Sequence, residues 1–339
     1  MIKIIVTGGC GFIGYHLVKK LIEDKSNVVL NIDNLSYGSD RSSHSEFNKC
    51  TNYEFKKLDI RDFEEVDKII NEFKPLKIFH LAAESHVDRS ISDPRSFIGT
   101  NINGTYNLLE ASRKLFSNLD DASQKLFKFV HVSTDEVFGD LEFSDDPFVE
   151  ESRYRPSSPY AASKAASDHL VKAWERTYKL PCVITNCSNN YGPNQNREKL
   201  IPKLITNALN GRPLPIYGSG LQIRDWLFVE DHVSALIKVS ESGSIGHSYL
   251  IGGKNELTNI EVAEHICKIL DQKIKDKPNN IHSFGDLIEF VNDRPGHDIR
   301  YAIDPRKIMS QLHWRPQIEF VVGLGATVDW YVQASYETR

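Results

Sequence analysis

The stretch "IKIIVTGGCGFIGYHLVKKLIE", residues 2–23, decides how the chain is read. Ile2 to Val6 carry a strand signal. Gly9, Gly11 and Gly14 follow in a GxGxxG spacing, and Gly8 also fits a TGxxGxxG reading. Apolar residues then recur at helical period over 12–23. In a strand, glycine turn and helix of this kind, bare backbone comes close to a pyrophosphate. The first helical amides, near Phe12 and Ile13, point at it. The next strand signal, "VVLNID" (28–33), ends on Asp33, 19 residues after Gly14. A carboxylate there accepts hydrogen bonds from a ribose 2′-hydroxyl and repels a 2′-phosphate, which points to NAD rather than NADP. Asn34 and Leu35 follow it. Asp59 and Ile60, after a third strand, are placed to meet the adenine or simply to face water.

Outward from that motif the same rhythm continues. "YEFKKLD" (53–59) precedes a helix near 62–73, and "KIFHLAA" (77–83) one near 94–116. "KFVHVST" (128–134) precedes a helix near 159–178, and "CVITNCS" (182–188) closes the series. Apolar strands alternating with helices predict an α/β fold, a doubly wound parallel sheet of the Rossmann kind. Its ligands belong at the carboxyl ends of the strands. After residue 190 the rhythm breaks. "NNYGPNQN" reads as a loop, and "PLPIYGSGLQIRDWLFVED" as a turn-rich stretch with short strands. Helices follow near 231–241, 259–270 and 320–333. Residues 1–190, with part of 220–250, are expected to hold the dinucleotide. Residues 191–339 are expected to form mainly a smaller, interleaved substrate domain.

Composition narrows the function. The 339 residues carry a net charge of -5, and the basic residues are scattered rather than striped, which argues against nucleic acid. No apolar run reaches the length of a membrane span, and "MIKIIVTGG" does not read as a signal peptide. The five cysteines form no CxxC pair, which fits reduced thiols in the cytoplasm. The histidines lack ligand spacing, so no metal is expected.

Two further patterns carry chemistry. "SSPYAASK" places Tyr160 and Lys164 at i, i+4 on one helix face, behind a Ser158 cap and Pro159. An ammonium one turn away favours a phenolate, so Tyr160 reads as a base towards an alcohol, unless the two form only a surface pair. "HVSTDEVFGD" (131–140) ends an apolar strand with Thr134 and two adjacent acids, Asp135 and Glu136. They are either solvated loop residues or a pair whose pKa values are driven apart for acid and base work.

The motifs "TGGCGFIG", "HLAAESHVDRSI", "STDEVFG", "YAASK", "NNYGP", "RDWLFVEDH" and "NDRPGHDIRYAID" together resemble the extended short-chain dehydrogenase/reductase superfamily. Within it they look like the dTDP-glucose 4,6-dehydratases. The resemblance runs from residue 4 to about 304. It implies oxidation of a hexose at C4, loss of water across C5 and C6, and reduction at C6, with NAD regenerated in place. Asp135 is then the acid at the C6 oxygen and Glu136 the base at C5, with Thr134 beside Tyr160 at the C4 oxygen. It places Leu81, Ala82, Ala83, Thr100 and Asn190 at the cofactor, Ser85 at cofactor and substrate, and Asn189 at the substrate. Lys199, Leu200, Pro215, Ile216, Tyr217, Arg224, Asn259, Arg294 and His297 match the pocket for the nucleotide diphosphate of dTDP-glucose. It also implies a homodimer through a four-helix bundle of helices 94–116 and 159–178. Ile98, Ile102, Leu108 and Leu109 would contribute to the apolar faces. Two alternatives stay open. One is another enzyme of the superfamily: a UDP-glucose 4,6-dehydratase, a 4-epimerase or a decarboxylase. The other is a non-enzymatic NAD-binding sensor.

Overall fold

The six apolar runs lie side by side as strands β1 (Ile2–Thr7), β2 (Asn27–Asp33), β3 (Tyr53–Lys57), β4 (Lys77–His80), β5 (Lys128–Thr134) and β6 (Cys182–Cys187). They were located in a computed structural model that describes residues 1–39, 43–293 and 296–337, with backbone alone at 43–44 and 336–337. β7 (Asn189–Tyr191), β8 (Leu214–Tyr217), β9 (Ile223–Phe228), β10 (Ser248–Ile251), β11 (Glu256–Thr258), β12 (Ile288–Val291) and β13 (Arg300–Tyr301) complete the set. The main sheet has the order β10-β6-β5-β4-β1-β2-β3 and every pairing in it is parallel.

Because strand side chains alternate, β1 feeds two cores at once. Ile4 and Val6 pack with Leu17 and Val18 of the helix Phe12–Glu23 and with Val233, Leu236 and Val239 of the helix Val229–Ser242. Ile5 faces the other way, among Ile70, Ile78, Leu108, Leu109 and Val171. Burial on both faces is why these strands read as continuous apolar runs. Ile308, Leu312 and Trp314, late in the chain, also bury in the first of these cores.

The second half builds a separate core. β9 is flanked by β11 and β13 and also pairs with β7, while β8 pairs with β12. Leu204, Ile205, Ile216, Trp226, Phe228, Ile266, Phe320 and Leu324 are buried there.

Several boundaries differ from the sequence reading. β3 stops at Lys57 and β4 at His80, short of 59 and 83, because residues 58–60 and 81–85 leave the sheet to line its carboxyl edge. The helix expected at 94–116 is broken into Pro94–Phe97, a π-helical turn Ile98–Gly104 and Thr105–Ser117. Gly104 sits against Ile60, where a Cβ would come within 2.5 Å of its Cδ1. "NNY" within the expected loop is β7, paired in parallel with β9. The helix Leu200–Leu209 is absent from the sequence reading, although Ile201, Leu204, Ile205 and Ala208 recur at helical spacing and are buried; Pro202, in its first turn, interrupts the pattern. The helix Pro159–Tyr178 has the expected bounds, with Pro159 at its first turn. Ser158 caps it by accepting from the Ala161 amide at 3.1 Å, a contact worth about 1 kcal/mol.

Candidate active site

At the carboxyl ends of β1, β4, β5 and β6 lies a cavity of about 310 Å³. Gly8, Gly11, Phe12, Ile13 and Gly14 form one wall. Gly8 has a φ of +76°, and a Cβ on it would stand 2.7 Å from the Ala82 nitrogen. A Cβ on Gly14 would stand 2.1 Å from the Gly8 carbonyl oxygen. The turn therefore tolerates no side chain, and the helix N-terminus is drawn up to the cavity, as a pyrophosphate requires.

Asp33 closes this end. Its Oδ2 accepts from the Cys10 amide at 3.0 Å, and its Oδ1 from the Leu35 amide at 2.8 Å and Ser39 Oγ at 2.9 Å. The carboxylate thus fixes the glycine turn and the loop after β2 together. Asp33, Asn34 and Ile60 line the cavity; Leu35, in a left-handed turn, and Asp59 do not. Asp59 is taken up by Arg61 at 2.6 Å and by Asn34, and the Arg61 hydrogen bonds, ahead of the opposing effect of burial, draw it down to about 2. The fit to a dinucleotide is complete in kind: a bare backbone turn, a helix N-terminus and an acid at the end of β2.

Leu81, Ala82, Ala83, Ser85 and Thr100 continue the wall. At its centre stand the chemical residues. Thr134 ends β5 and caps the short 3-10 turn Asp135–Phe138, its Oγ1 accepting from the Glu136 amide at 3.3 Å. This turn splits the adjacent acids. Asp135 is buried, with Oδ1 3.3 Å from Thr134 Oγ1 and Oδ2 without a hydrogen-bond partner among the described residues. Burial first, then the charges of Glu136 and Asp225, push its carboxyl well above the usual range, which favours its protonated form. Glu136 is only half-buried and lines the same cavity.

Tyr160 and Lys164 are both buried and both reach the cavity. Lys164 Nζ donates to the Val132 carbonyl at 2.8 Å, and burial lowers it to about 8. The Tyr160 phenol is raised well above 10, by burial first and by Glu136 second, while a hydrogen bond with Thr134 acts in the opposite sense. Without a ligand in the pocket the phenol is neutral.

Asn189, Asn190 and Lys199 line the far side. Lys199 Nζ donates to the Ser85 carbonyl at 3.0 Å, and Glu198 meets His86 at 3.0 Å, so β4's loop and the start of the helix Leu200–Leu209 touch across the mouth.

The remaining expected residues do not line this cavity. Most gather beside it on the smaller unit. Arg224 donates to the carbonyls of Ile223 at 2.7 Å and Asp298 at 2.9 Å and stacks over Tyr301. It also acts on Asp135, favouring that carboxylate against burial. The Tyr217 and His297 rings meet edge to face, and His297 holds Asp293 at 2.6 Å. Asn259 opens the helix Asn259–Lys273, its amide on the Gln222 carbonyl. Pro215 lies in β8 between the wholly buried Leu214 and Ile216. The Ile216 side chain belongs to the core, which leaves only its backbone for a ligand. Leu200 packs on the same core. Arg294 lies outside the described residues.

The sequence reading missed Asn101. It is buried within the π-helical turn; its Oδ1 accepts from the Glu84 amide at 2.8 Å and its Nδ2 donates to Ser163 Oγ at 2.8 Å. It joins the loop after β4 to the helix bearing Tyr160. An asparagine inside the apolar-periodic run "IGTNINGTYNLL" was the available signal.

Fold and cavity define a dinucleotide-dependent enzyme of the extended short-chain dehydrogenase/reductase kind, with a second unit placed over the strand ends. The chain belongs to the family described as GDP-mannose 4,6 dehydratase, which it matches over residues 5–327. It is 53% identical over 332 residues to a dTDP-glucose 4,6-dehydratase of Haemophilus influenzae, covering 98% of each chain. Among solved structures, a dTDP-glucose 4,6-dehydratase from Bacillus anthracis in complex with NAD aligns with a TM-score of 0.86 and 40% identity, over 99% of this chain and 98% of that one. One from Streptomyces venezuelae, also with NAD bound, aligns with a TM-score of 0.89 and 38% identity over the same shares.

Proposed function

We propose that this chain catalyses the NAD-dependent dehydration of dTDP-glucose to dTDP-4-keto-6-deoxyglucose. The observation that carries the reading is the pair Asp135 and Glu136: one carboxyl buried and raised well above its ordinary value, its neighbour half-exposed, at the cavity end that also holds Tyr160. An epimerase or decarboxylase has no use for a protonated acid at this place.

The glycine turn and Asp33 would hold NAD, which when bound would supply a hydride acceptor at C4 and a hydride donor at C6. Tyr160 takes the proton of the C4 hydroxyl as its phenolate, so its own proton must leave first, a step the charge of Lys164 favours; Thr134 stands beside it to orient that oxygen. Once C4 is a ketone the C5 hydrogen is acidic, and Glu136 removes it. Asp135 gives its proton to the C6 oxygen, so that water leaves. Two adjacent carboxyls serve two opposite proton transfers when their environments differ, one buried and one half-buried. The sheet unit holds the cofactor. The cluster around Tyr217, Arg224, Asn259 and His297 receives the nucleotide diphosphate, for which the planar Arg fork is suited. The chain works in the cytoplasm.

The test is incubation of the NAD-loaded protein with dTDP-glucose, then alkali, in which a 4-keto-6-deoxy sugar absorbs in the near-ultraviolet. dTDP-glucose is expected to give the signal and UDP- and GDP-glucose much less. No signal from any of the three would remove the dehydratase reading.

The working unit is a homodimer formed by the helices Thr105–Ser117 and Pro159–Tyr178. Leu108 and Leu109 do not contribute as the sequence reading had it, since both are wholly buried against the sheet. The outer face is instead aromatic: Tyr106 and Tyr178 are exposed, with Trp174 between them at 5.8 Å and 5.5 Å. Ile98, also exposed, extends it, beside half-buried Ile102. Sedimentation is expected to give a dimer for the natural chain and a monomer for Tyr106→Glu with Tyr178→Glu. A monomeric natural chain would defeat the assignment.

A further inference from the structure

Asp168 takes no part in the reaction as set out above, yet it is a charged side chain with no exposure at all. It lies one turn beyond Lys164 on the helix Pro159–Tyr178. Burying a carboxylate is costly unless its oxygens are bonded. Here Oδ2 accepts from Tyr154 Oη at 2.8 Å, Ser133 Oγ at 3.0 Å and Asn186 Nδ2 at 3.2 Å. Oδ1 lies 3.2 Å from His131 Nε2, close enough for an electrostatic contact but without a formed hydrogen bond. Burial raises the carboxyl, but the contact with His131, the charge of Lys164 and the bond from Ser133 outweigh it, and Asp168 ends below its ordinary value. It is an anion.

The donors come from three separate pieces of chain. Ser133 immediately precedes Thr134, Asp135 and Glu136. Asn186 belongs to β6, and its Nδ2 also donates to the Thr134 carbonyl at 3.1 Å. Tyr154 belongs to the segment that leads from the acid–base turn back to Tyr160. One carboxylate thus fastens the two halves of the chemistry together.

Lys164 meets few charges. His131 on β5 is driven down to about 4 and His80 on β4 well below its ordinary value, both by burial, so both rings are neutral. Cys187 on β6 is pushed up to about 12 by burial and stays a thiol. Tyr160 is a neutral phenol. Asp168 is the one anion acting on the ammonium, and it acts to keep it charged.

The geometry points to Asp168 as a positioning residue for the dehydration. It ties the strand end bearing the acid–base pair to the helix bearing Tyr160 and Lys164, and it supplies the negative charge that keeps Lys164 an ammonium. This rests on the reaction proposed above.

The experiment follows C4 oxidation in the NAD-loaded protein after mixing with dTDP-glucose, read as absorbance of the reduced nicotinamide across neutral and alkaline pH. The natural chain's rate should rise with pH and stop rising where Lys164 loses its proton, leaving a flat alkaline limb. In Asp168→Asn that alkaline limb is expected to move down by about one pH unit, and in Asp168→Glu to return part of the way. A purely structural role would lower the rate by one factor at every pH, and a limb that stays in place would overturn the proposal. Should Asp168→Asn fail to fold, Tyr154→Phe keeps the carboxylate and removes one of its donors. The barer charge is then expected to move the limb upward, and an unmoved limb overturns the proposal equally. If the natural chain itself oxidises nothing, the proposed reaction falls instead, and that failure is distinct because it needs no variant.

Discussion

Asp135→Asn is expected to cut formation of the 4-keto-6-deoxy product by about 100- to 10,000-fold, the range a positioned general acid contributes, while C4 oxidation continues. Asparagine has the shape of the carboxyl but no proton to give. The exchange is mild for the fold, because burial, Glu136 and Asp225 all favour the protonated, neutral form of Asp135. Replacing one neutral buried group by another creates no uncompensated charge. Glu136 keeps its place on the turn, since Thr134 Oγ1 accepts from its amide independently of Asp135. The variant should therefore reach the ketone, remove the C5 proton and go no further. In deuterated water, dTDP-glucose recovered from the variant should carry deuterium at C5. The pH dependence follows from the same group. The natural chain needs Asp135 protonated, so its elimination falls as pH rises through the raised pKa of this carboxyl, and the variant should show no such limb. Absence of both C5 exchange and C4 oxidation would show that Asp135 is not the acid at C6 alone.

What the sequence made legible was whatever depends on local pattern. The glycine turn, the acid ending β2 and the Tyr160–Lys164 helix are set by spacing within about twenty residues, and each stands where the pattern put it. The split between Asp135 and Glu136 needed more. Nothing in two adjacent acids says which one is buried; the 3-10 turn capped by Thr134 decides it. The partner of Lys164 was out of reach for a similar reason. Helical spacing places it one turn from Tyr160, but the Val132 carbonyl that accepts its hydrogen bond lies 32 positions away. Asp168 and Asn101 were invisible because a polar residue on a helix is read as solvated, and only the packing of that helix against β5 and the loop after β4 buries them. Leu108 and Leu109, read from periodicity as an outward apolar face, are wholly buried against the sheet instead, since periodicity marks a buried stripe without saying what covers it.

Tyr160→Phe is expected to remove C4 oxidation itself, by about 100- to 10,000-fold, and with it every later step. Phenylalanine keeps the ring and its edge-to-face contact with Phe97, with centroids at 6.3 Å. The loss is the hydroxyl, so the variant should fold, bind NAD and bind dTDP-glucose. It differs from Asp135→Asn in a way a single measurement reveals: no reduced nicotinamide appears and no C5 exchange occurs, because the ketone that acidifies C5 never forms. The natural chain's own pH profile bears on the same point. Burial and Glu136 hold the phenol neutral, so oxidation should speed up as pH rises. Lys164, lowered to about 8, loses its charge as pH rises further and withdraws the cation that favours the phenolate. Because the phenol lies above the ammonium, the gain in phenolate offsets the loss of ammonium above about 8, and the rise levels off there. Tyr160→Phe should abolish the rising side along with the rate. Should the variant still oxidise C4 within tenfold of the natural chain, Thr134 or another group would have to be the base, and the raised phenol would be packing rather than chemistry.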